Sequence, residues 1–338
     1  MAGSGGGDKT AHGIGTRLTH AGRHPEDFHG FVNPPVVHAS TVLFASADDF
    51  FARRGRYQYG RRGTPTTEAL CEAMTAIEGG AGTVLAPSGL GAITTALLAL
   101  LSAGDHLLMV DTVYGPTRSF CNGMLARLGI ETTYYDPLVG AGIADLMRPN
   151  TRAVFTESPG SLTFEVQDIA AIAAAAHARE AAVLMDNTWA TPLFFAAHAH
   201  GVDLSIHAGT KFLCGHSDVM IGTVSATEAW WPKLKEGHGQ LGQCVGPDDI
   251  YLTLRGVRTL GVRLAAQMEA GIQVAHWLRG RPEVAQVLHP ALPGASGHEL
   301  WKRDFSGACS LFGVEFKPDF SVESTHAFAE ALELFGIG

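Results

Sequence analysis

The amino-acid sequence predicts an α/β protein with a mostly parallel, seven-stranded sheet lying between helices. Two observations carry that expectation. From about Thr83 onward short β-rich runs alternate with longer helix-like ones, and most of the β-rich runs are continuously apolar, as strands buried on both faces require. The strands are expected at Thr83 to Ala86, His106 to Val110, Ile130 to Tyr135, Arg152 to Thr156, Ala182 to Asp186, Asp203 to His207 and Val219 to Val224. Helices are expected at Ile93 to Ser102, Thr117 to Leu128 and Asp168 to Arg179, and Thr64-Pro65 marks the cap and first residue of an earlier one. Ahead of the sheet, Leu18 to Arg62 holds Pro34, Pro35, several His and no clear period, and reads as an extended arm of the kind that reaches a neighbouring subunit. After Gly256 a long helix, Val262 to Leu278, leads to a smaller α/β pattern with strands near Val284 to Leu288 and Cys309 to Phe316 and a helix over Ser324 to Leu334. The expected division is a flexible tail and arm over 1–62, a large domain over 63–256 and a small C-terminal domain over 257–338. That last unit is short of strands, so the natural polypeptide is expected to continue.

Composition narrows the function classes. The 338 residues are 46% hydrophobic and 17% charged, ample for a large core and unlike a disordered chain. A net charge of −9 argues against nucleic acid or an acidic membrane as partner. The run Arg53 to Arg62 mixes arginines with Tyr57 and Tyr59 like an RNA-binding segment, but the acidic whole outweighs it. Five cysteines, far apart and without a CxxC pair, suggest neither a disulfide framework nor a zinc ribbon, and a reducing cytoplasm is expected. Met1 to Gly15 is Gly-rich, lacks the pattern of a signal peptide and is expected to be a loose tail. The longest apolar stretch, Thr83 to Leu101, is cut by Pro87, Ser88, Gly89 and Gly91 before its helical part reaches membrane-spanning length. His198 and His200, two residues apart in a helix-like segment, face different sides and make a poor metal pair. Trp230, Trp231 and Trp301 read as packing residues.

In an open parallel sheet, ligands sit at the carboxyl ends of the strands. Ser88 and Gly89 follow the first expected strand, Asp111 and Tyr114 the second, Glu157 the fourth, Asp186 and Asn187 the fifth, and Thr210 with Lys211 the sixth. An acid, a lysine, an aromatic ring and a glycine turn opening a helix thus converge on one edge, which suits a flat, phosphorylated, carbonyl-bearing cofactor. Each signal alone has a plain alternative: a steric glycine turn, a surface lysine, an aspartate capping the next segment. The turn matches neither GxGxxG nor the Walker pattern, which weakens a dinucleotide-binding dehydrogenase as the rival reading.

The constellation resembles the fold-type I, pyridoxal-phosphate-dependent enzymes of Cys/Met metabolism. The matching segments are Tyr59-Gly60-Arg61-Arg62-Gly63-Thr64, Pro87-Ser88-Gly89, Asp111-Thr112-Val113-Tyr114, Glu157-Ser158-Pro159-Gly160-Ser161-Leu162, Met185-Asp186-Asn187-Thr188-Trp189-Ala190, Thr210-Lys211-Phe212 and Gly215-His216-Ser217-Asp218. Arg255 to Leu260 and His289 to Gly294 extend the match to most of the chain. The resemblance implies a PLP-dependent transferase-like fold of the aspartate aminotransferase type and pyridoxal 5'-phosphate as cofactor. It also implies a small amino-acid substrate and a homo-oligomer, with dimers sharing active sites and pairing into a tetramer.

By that resemblance Lys211 would hold the cofactor aldehyde and, once displaced by substrate, move the α-proton as general base. Asp186 would pair with the protonated pyridine nitrogen, and Tyr114 would stack on the ring. Gly89 and Leu90 would offer backbone N–H groups to the phosphate, with the Thr210 hydroxyl alongside. Relatives commonly carry a serine three residues before the lysine, where this chain has Ala208. Tyr59 and Arg61 would cross to the adjoining subunit and complete its phosphate site. The candidate catalytic residues are therefore Lys211, Tyr114 and Tyr59. Relatives that work at Cγ usually carry Asn-Pro where this chain has Ser161-Leu162, so the expected reaction is β-cleavage of L-cystathionine to L-homocysteine, pyruvate and ammonia. γ-Elimination, γ-synthesis and a non-catalytic cofactor-binding protein are the alternatives. No residue can be assigned as the family's substrate-carboxylate arginine, so this polypeptide is expected to hold cofactor yet turn over poorly.

Overall fold

The computed structural model describes residues 12–338; of the tail expected over Met1 to Gly15, residues 1–11 lie outside this range. Ile14 and Gly15 already belong to a helix, α1 (Ile14–His20). The arm that follows is mostly irregular, as expected, but is interrupted by a 3-10 turn (Pro25–Phe28), α2 (Ala47–Phe51) and a second 3-10 turn (Gly60–Arg62). Helix α3 (Pro65–Glu78) starts where Thr64-Pro65 predicts: Thr64 Oγ1 accepts the Thr67 N–H at 3.2 Å, and Pro65 occupies a position with no donor to lose.

The main sheet comprises β1 (Gly82–Ala86), β2 (His106–Val110), β3 (Glu131–Tyr135), β4 (Thr151–Glu157), β5 (Ala182–Asp186), β6 (Leu204–His207) and β7 (Gly222–Ala226). Their order in space is β1-β7-β6-β5-β4-β2-β3. Strand β7 runs antiparallel to both its neighbours, and all other pairings are parallel. The continuously apolar runs are accounted for, since β1, β2, β6 and β7 are buried along their whole length. One layer holds α4 (Gly89–Leu100), α5 (Gly115–Phe120), α6 (Ile169–His177) and α8 (Trp231–Leu241); α7 (Thr191–Phe194) is a single turn. Opposite lie α3, α9 (Pro247–Arg258) and the start of α10 (Leu260–Arg279), packed on Leu85, Val219 and Ile221. Helices on both faces of the sheet make this the three-layered α/β fold that the sequence predicts.

Three expected elements are corrected. Thr117 to Leu128 is not one regular helix, because a wider turn over Cys121–Leu125 follows α5. The seventh strand lies at Gly222–Ala226 rather than Val219 to Val224, and the last strand, β9 (Gly313–Phe316), is only the end of the expected Cys309 to Phe316. β9 pairs antiparallel with β8 (Val284–Leu288), and the long helix α10 packs on that pair. Ala275, Val284, Val287 and Leu292 form a separate small core there, near α11 (His298–Asp304) and ahead of α12 (Val322–Glu330). No helix among the described residues is long and apolar enough to cross a membrane.

His289 supplies a pH-dependent contribution to this fold. It is fully buried, its Nδ1 accepts the Ala291 N–H at 3.1 Å, and burial lowers its pKa from 6.5 to about 4. The folded state therefore binds fewer protons here than the unfolded chain between those values. Stability present above pH 6.5 is lost as the pH falls toward 4, and His289→Asn should flatten that part of the curve in urea unfolding followed against pH.

Candidate active site

The six parallel strands end together at Ala86, Val110, Tyr135, Glu157, Asp186 and His207. Glu157 and Asp186 are Cα partners at the ends of β4 and β5, while Asp186 is followed laterally by Ile206 of β6. Lys211 lies in the turn after β6. That turn is pinned from the β5 side by the Ala208 N–H donating to Thr188 Oγ1 at 2.8 Å, and it closes with the Lys211 N–H donating to Ala208 O at 3.0 Å. The Lys211 side chain is exposed, with no hydrogen bond or ion pair among the described residues.

Two carboxyls face this edge. Asp186 Oδ1 accepts the Thr188 N–H at 3.0 Å. Burial raises the Asp186 pKa, opposed by its bonds to Thr188 and by His207 and Lys211. Glu157 Oε2 accepts the Tyr114 N–H at 2.8 Å. Its carboxyl is pushed well above the usual range, first by burial and then by neighbouring Asp186. Adjacent acids in water-poor surroundings resist ionising together, and a cation at Asp186 would relieve that strain.

The turn between β1 and α4 forms the other side. Ser88 Oγ accepts the Gly91 N–H at 2.9 Å and caps α4, leaving the Gly89 and Leu90 N–H groups without partners among the described residues at the positive end of a twelve-residue helix. Gly89 is a steric requirement: a Cβ there would fall 2.5 Å from Ala208 Cβ and 2.9 Å from its Cα. The helix start thus lies directly against the lysine-bearing turn.

Thr210 is placed beside these groups, but its hydroxyl is engaged elsewhere. Thr210 Oγ1 donates to Ile221 O at 3.2 Å and accepts the Ile221 N–H at 3.0 Å, tying the turn to the segment entering β7. A hydroxyl has a single proton, so donation to a phosphate requires the bond to Ile221 O to open. Tyr114 sits just before α5 with its side chain half exposed.

Tyr59 and Arg61 are not brought to this edge within the chain. Among the described residues no hydrogen bond or ion pair joins either to Lys211, Asp186 or Tyr114. Tyr59 forms a bridge with Thr41, and Arg61 Nη1 donates to Gly239 O of α8 at 3.1 Å, beside a cavity of about 180 Å³ also lined by Arg62, Lys235 and His238.

The sequence matches the family described as Cys/Met metabolism PLP-dependent enzyme over residues 15–338. The chain belongs to that family. It is 57% identical over 329 residues to a protein of Rhizobium johnstonii named putative cystathionine beta-lyase, covering 96% of this chain and 83% of that one. It is 44% identical to the cystathionine beta-lyase MetC of Escherichia coli, covering 96% and 84%. The crystal structure of a cystathionine gamma synthase from Xanthomonas oryzae pv. oryzae, in complex with aminoacrylate and cysteine, superposes with a TM-score of 0.91 at 31% identity, covering 97% of this chain and 83% of that one.

As a member of the Cys/Met family the protein is a PLP-dependent enzyme, and its residues fit the cofactor. Among the described residues Asp186 draws its hydrogen bonds from Thr188 alone, two N–H groups stand free at the start of α4, and an unpaired lysine shares their edge. Two features of this edge escaped sequence reading. One is the contact of Glu157 with Tyr114. The other is a buried pair beneath the lysine turn: His207 Nε2 is hydrogen-bonded to Glu78 Oε1 of α3, with both side chains inaccessible and Ser205 Oγ donating to the same oxygen at 3.1 Å. The pair joins α3 to the end of β6, and spacing in sequence gives no hint of a contact 129 residues apart. Glu78→Ala strands a buried imidazole and should cost about 3 kcal/mol in urea unfolding. His198 bonds Val202 O and Ser225 Oγ, and Trp301 Nε1 donates to Gly307 O at 2.9 Å, so these residues are engaged in packing the fold.

Proposed function

We propose that the protein is a cystathionine β-lyase, cleaving L-cystathionine with water to L-homocysteine, pyruvate and ammonia. The observation that carries this reading is the convergence of Lys211 and Asp186 on one sheet edge, together with relatives at 57% and 44% identity that bear this name. When bound, pyridoxal 5'-phosphate supplies an electron sink for the pair released as the Cα–H bond breaks. Lys211 holds the cofactor and then takes the Cα proton; Asp186 keeps a positive charge on the pyridine nitrogen; and Tyr114 covers the ring. The Gly89 and Leu90 N–H groups hold phosphate, with Thr210 alongside once its bond to Ile221 opens. A thiolate leaving from Cβ would require no residue here to take a second proton at Cβ.

The loop after β4 supports β- over γ-chemistry. Leu162 has φ = 68°, a backbone conformation that the proline ring forbids. An Asn-Pro pair at 161–162, which the resemblance gives to relatives working at Cγ, therefore could not follow the path that Ser161-Leu162 takes here.

The same reading makes the protein a homo-oligomer in which Tyr59 and Arg61 complete the phosphate site of an adjoining subunit, within a cytoplasmic tetramer. Arg61 would supply a bidentate guanidinium to the phosphate dianion. Phe31, Val32, Leu43, Phe50 and Phe51 of the arm are exposed, as side chains that meet another copy would be in a single chain. Product analysis with L-cystathionine tests the assignment: pyruvate and homocysteine are expected, whereas 2-oxobutyrate with cysteine would assign γ-cleavage instead.

A further inference from the structure

We propose that Glu157 is a positioning residue for the cofactor ring: at the end of β4 its carboxyl takes the Tyr114 N–H and so sets where the Tyr114 side chain lies beside Asp186. This rests on the reading that Tyr114 covers the ring. β4 is hydrogen-bonded to β5 on one side and β2 on the other, with Glu157 level with Asp186 and Phe155 level with Met109. Glu157 therefore sits between the strand that ends in the pyridine partner and the strand that leads to Tyr114.

The segment after β2 is tied at Asp111, whose N–H donates to Tyr135 O at 2.9 Å and whose carboxylate accepts from Arg118 at 2.6 Å, and at Thr112, whose carbonyl accepts the Ser161 N–H at 2.8 Å. The Val113 N–H donates to Val110 O at 3.2 Å, and Tyr114 precedes α5 with no side chain capping that helix. The 2.8 Å bond from the Tyr114 N–H to Glu157 Oε2 is the polar tie between Tyr114 and the central strands. Without it the N–H at the start of a six-residue helix loses its acceptor, and the Tyr114 peptide can turn while Asp111 and Thr112 stay tied.

The protonation behaviour agrees with this role. Burial and Asp186 favour the uncharged form of Glu157, which still offers an acceptor oxygen to Tyr114. The two neighbouring acids then have separate tasks, Glu157 as the acceptor for Tyr114 and Asp186 as the partner offered to the pyridine nitrogen. Glutamine reproduces that uncharged form in shape and keeps the acceptor, whereas alanine removes it.

The full chain, stripped of cofactor and titrated with pyridoxal 5'-phosphate, tests the proposal through the Kd and the visible circular dichroism of the bound cofactor, which reports the ring's surroundings. Glu157→Gln should stay within about twofold of the parent Kd with an unchanged dichroic band. Glu157→Ala should weaken binding about tenfold, as for one lost hydrogen bond, and alter the band. In a Tyr114→Leu background, Glu157→Ala should add little, because its effect passes through Tyr114. If Tyr114→Leu weakens binding but Glu157→Ala leaves both Kd and band unchanged, or acts equally in both backgrounds, the positioning role is wrong while the stacking role stands. Tyr114→Leu binding cofactor like the parent, with the same band, would overturn both.

Discussion

Lys211→Ala should lower the rate of L-cystathionine cleavage by at least about 10³-fold while leaving the protein folded. Two losses combine. Lys211 is the lysine placed at the strand ends beside Asp186, so its removal ends covalent retention of the cofactor there. It also removes the amine that moves the Cα proton, and a positioned acid or base is itself worth about 10²- to 10⁴-fold. Its exposed side chain has no structural partner, so the melting temperature of the cofactor-free protein should shift little. Steady-state pyruvate release and thermal melts of the cofactor-free form check both halves. A variant retaining a tenth of the parent rate would show that another group moves the proton.

Asp186→Ala should reduce kcat/KM by about 10²- to 10³-fold, as for loss of a buried electrostatic contact worth about 3–4 kcal/mol at the reacting system. In the cofactor-free chain burial disfavours the charged form of the carboxyl, opposed by its bonds to Thr188 and by nearby His207 and Lys211. A cationic ring nitrogen reverses that balance. Removing the acid should therefore impair the loaded enzyme strongly while leaving the cofactor-free chain as stable as the parent, or more so above the usual carboxylate pKa. Urea unfolding of the two cofactor-free proteins at pH 7, beside their steady-state kinetics, separates the effects. A stability loss of several kcal/mol with little change in kcat/KM would assign Asp186 a structural task instead.

Much of this architecture is legible in the sequence because burial on both faces leaves a simple mark. His106–Val110 and Ala182–Asp186 have the bounds expected from their apolar runs and flanking polar or glycine residues. α8 and most of α9 carry no such mark: Pro232, Gly237 and Gly239 interrupt the first, and the second mixes charge with apolar residues along one buried face. Strand direction is equally silent, since β7 reads like its parallel neighbours yet runs against them. Lys211 and Asp186 could be picked out because they terminate apolar strands. The tie of Glu157 to Tyr114 and of Glu78 to His207 depends on register and layer order, which appear only when the sheet is assembled. Conversely, the resemblance places the Thr210 hydroxyl beside the phosphate, and only the fold reveals that Ile221 holds it.

The central claim is that Lys211 is the residue that binds the cofactor covalently. Borohydride reduction of the cofactor-loaded protein, followed by peptide mapping, tests it most directly. The account predicts one modified peptide, containing Lys211, that disappears in Lys211→Ala. A modification on Lys233, Lys235 or another lysine instead, or none at all in protein that has bound the cofactor, would contradict it.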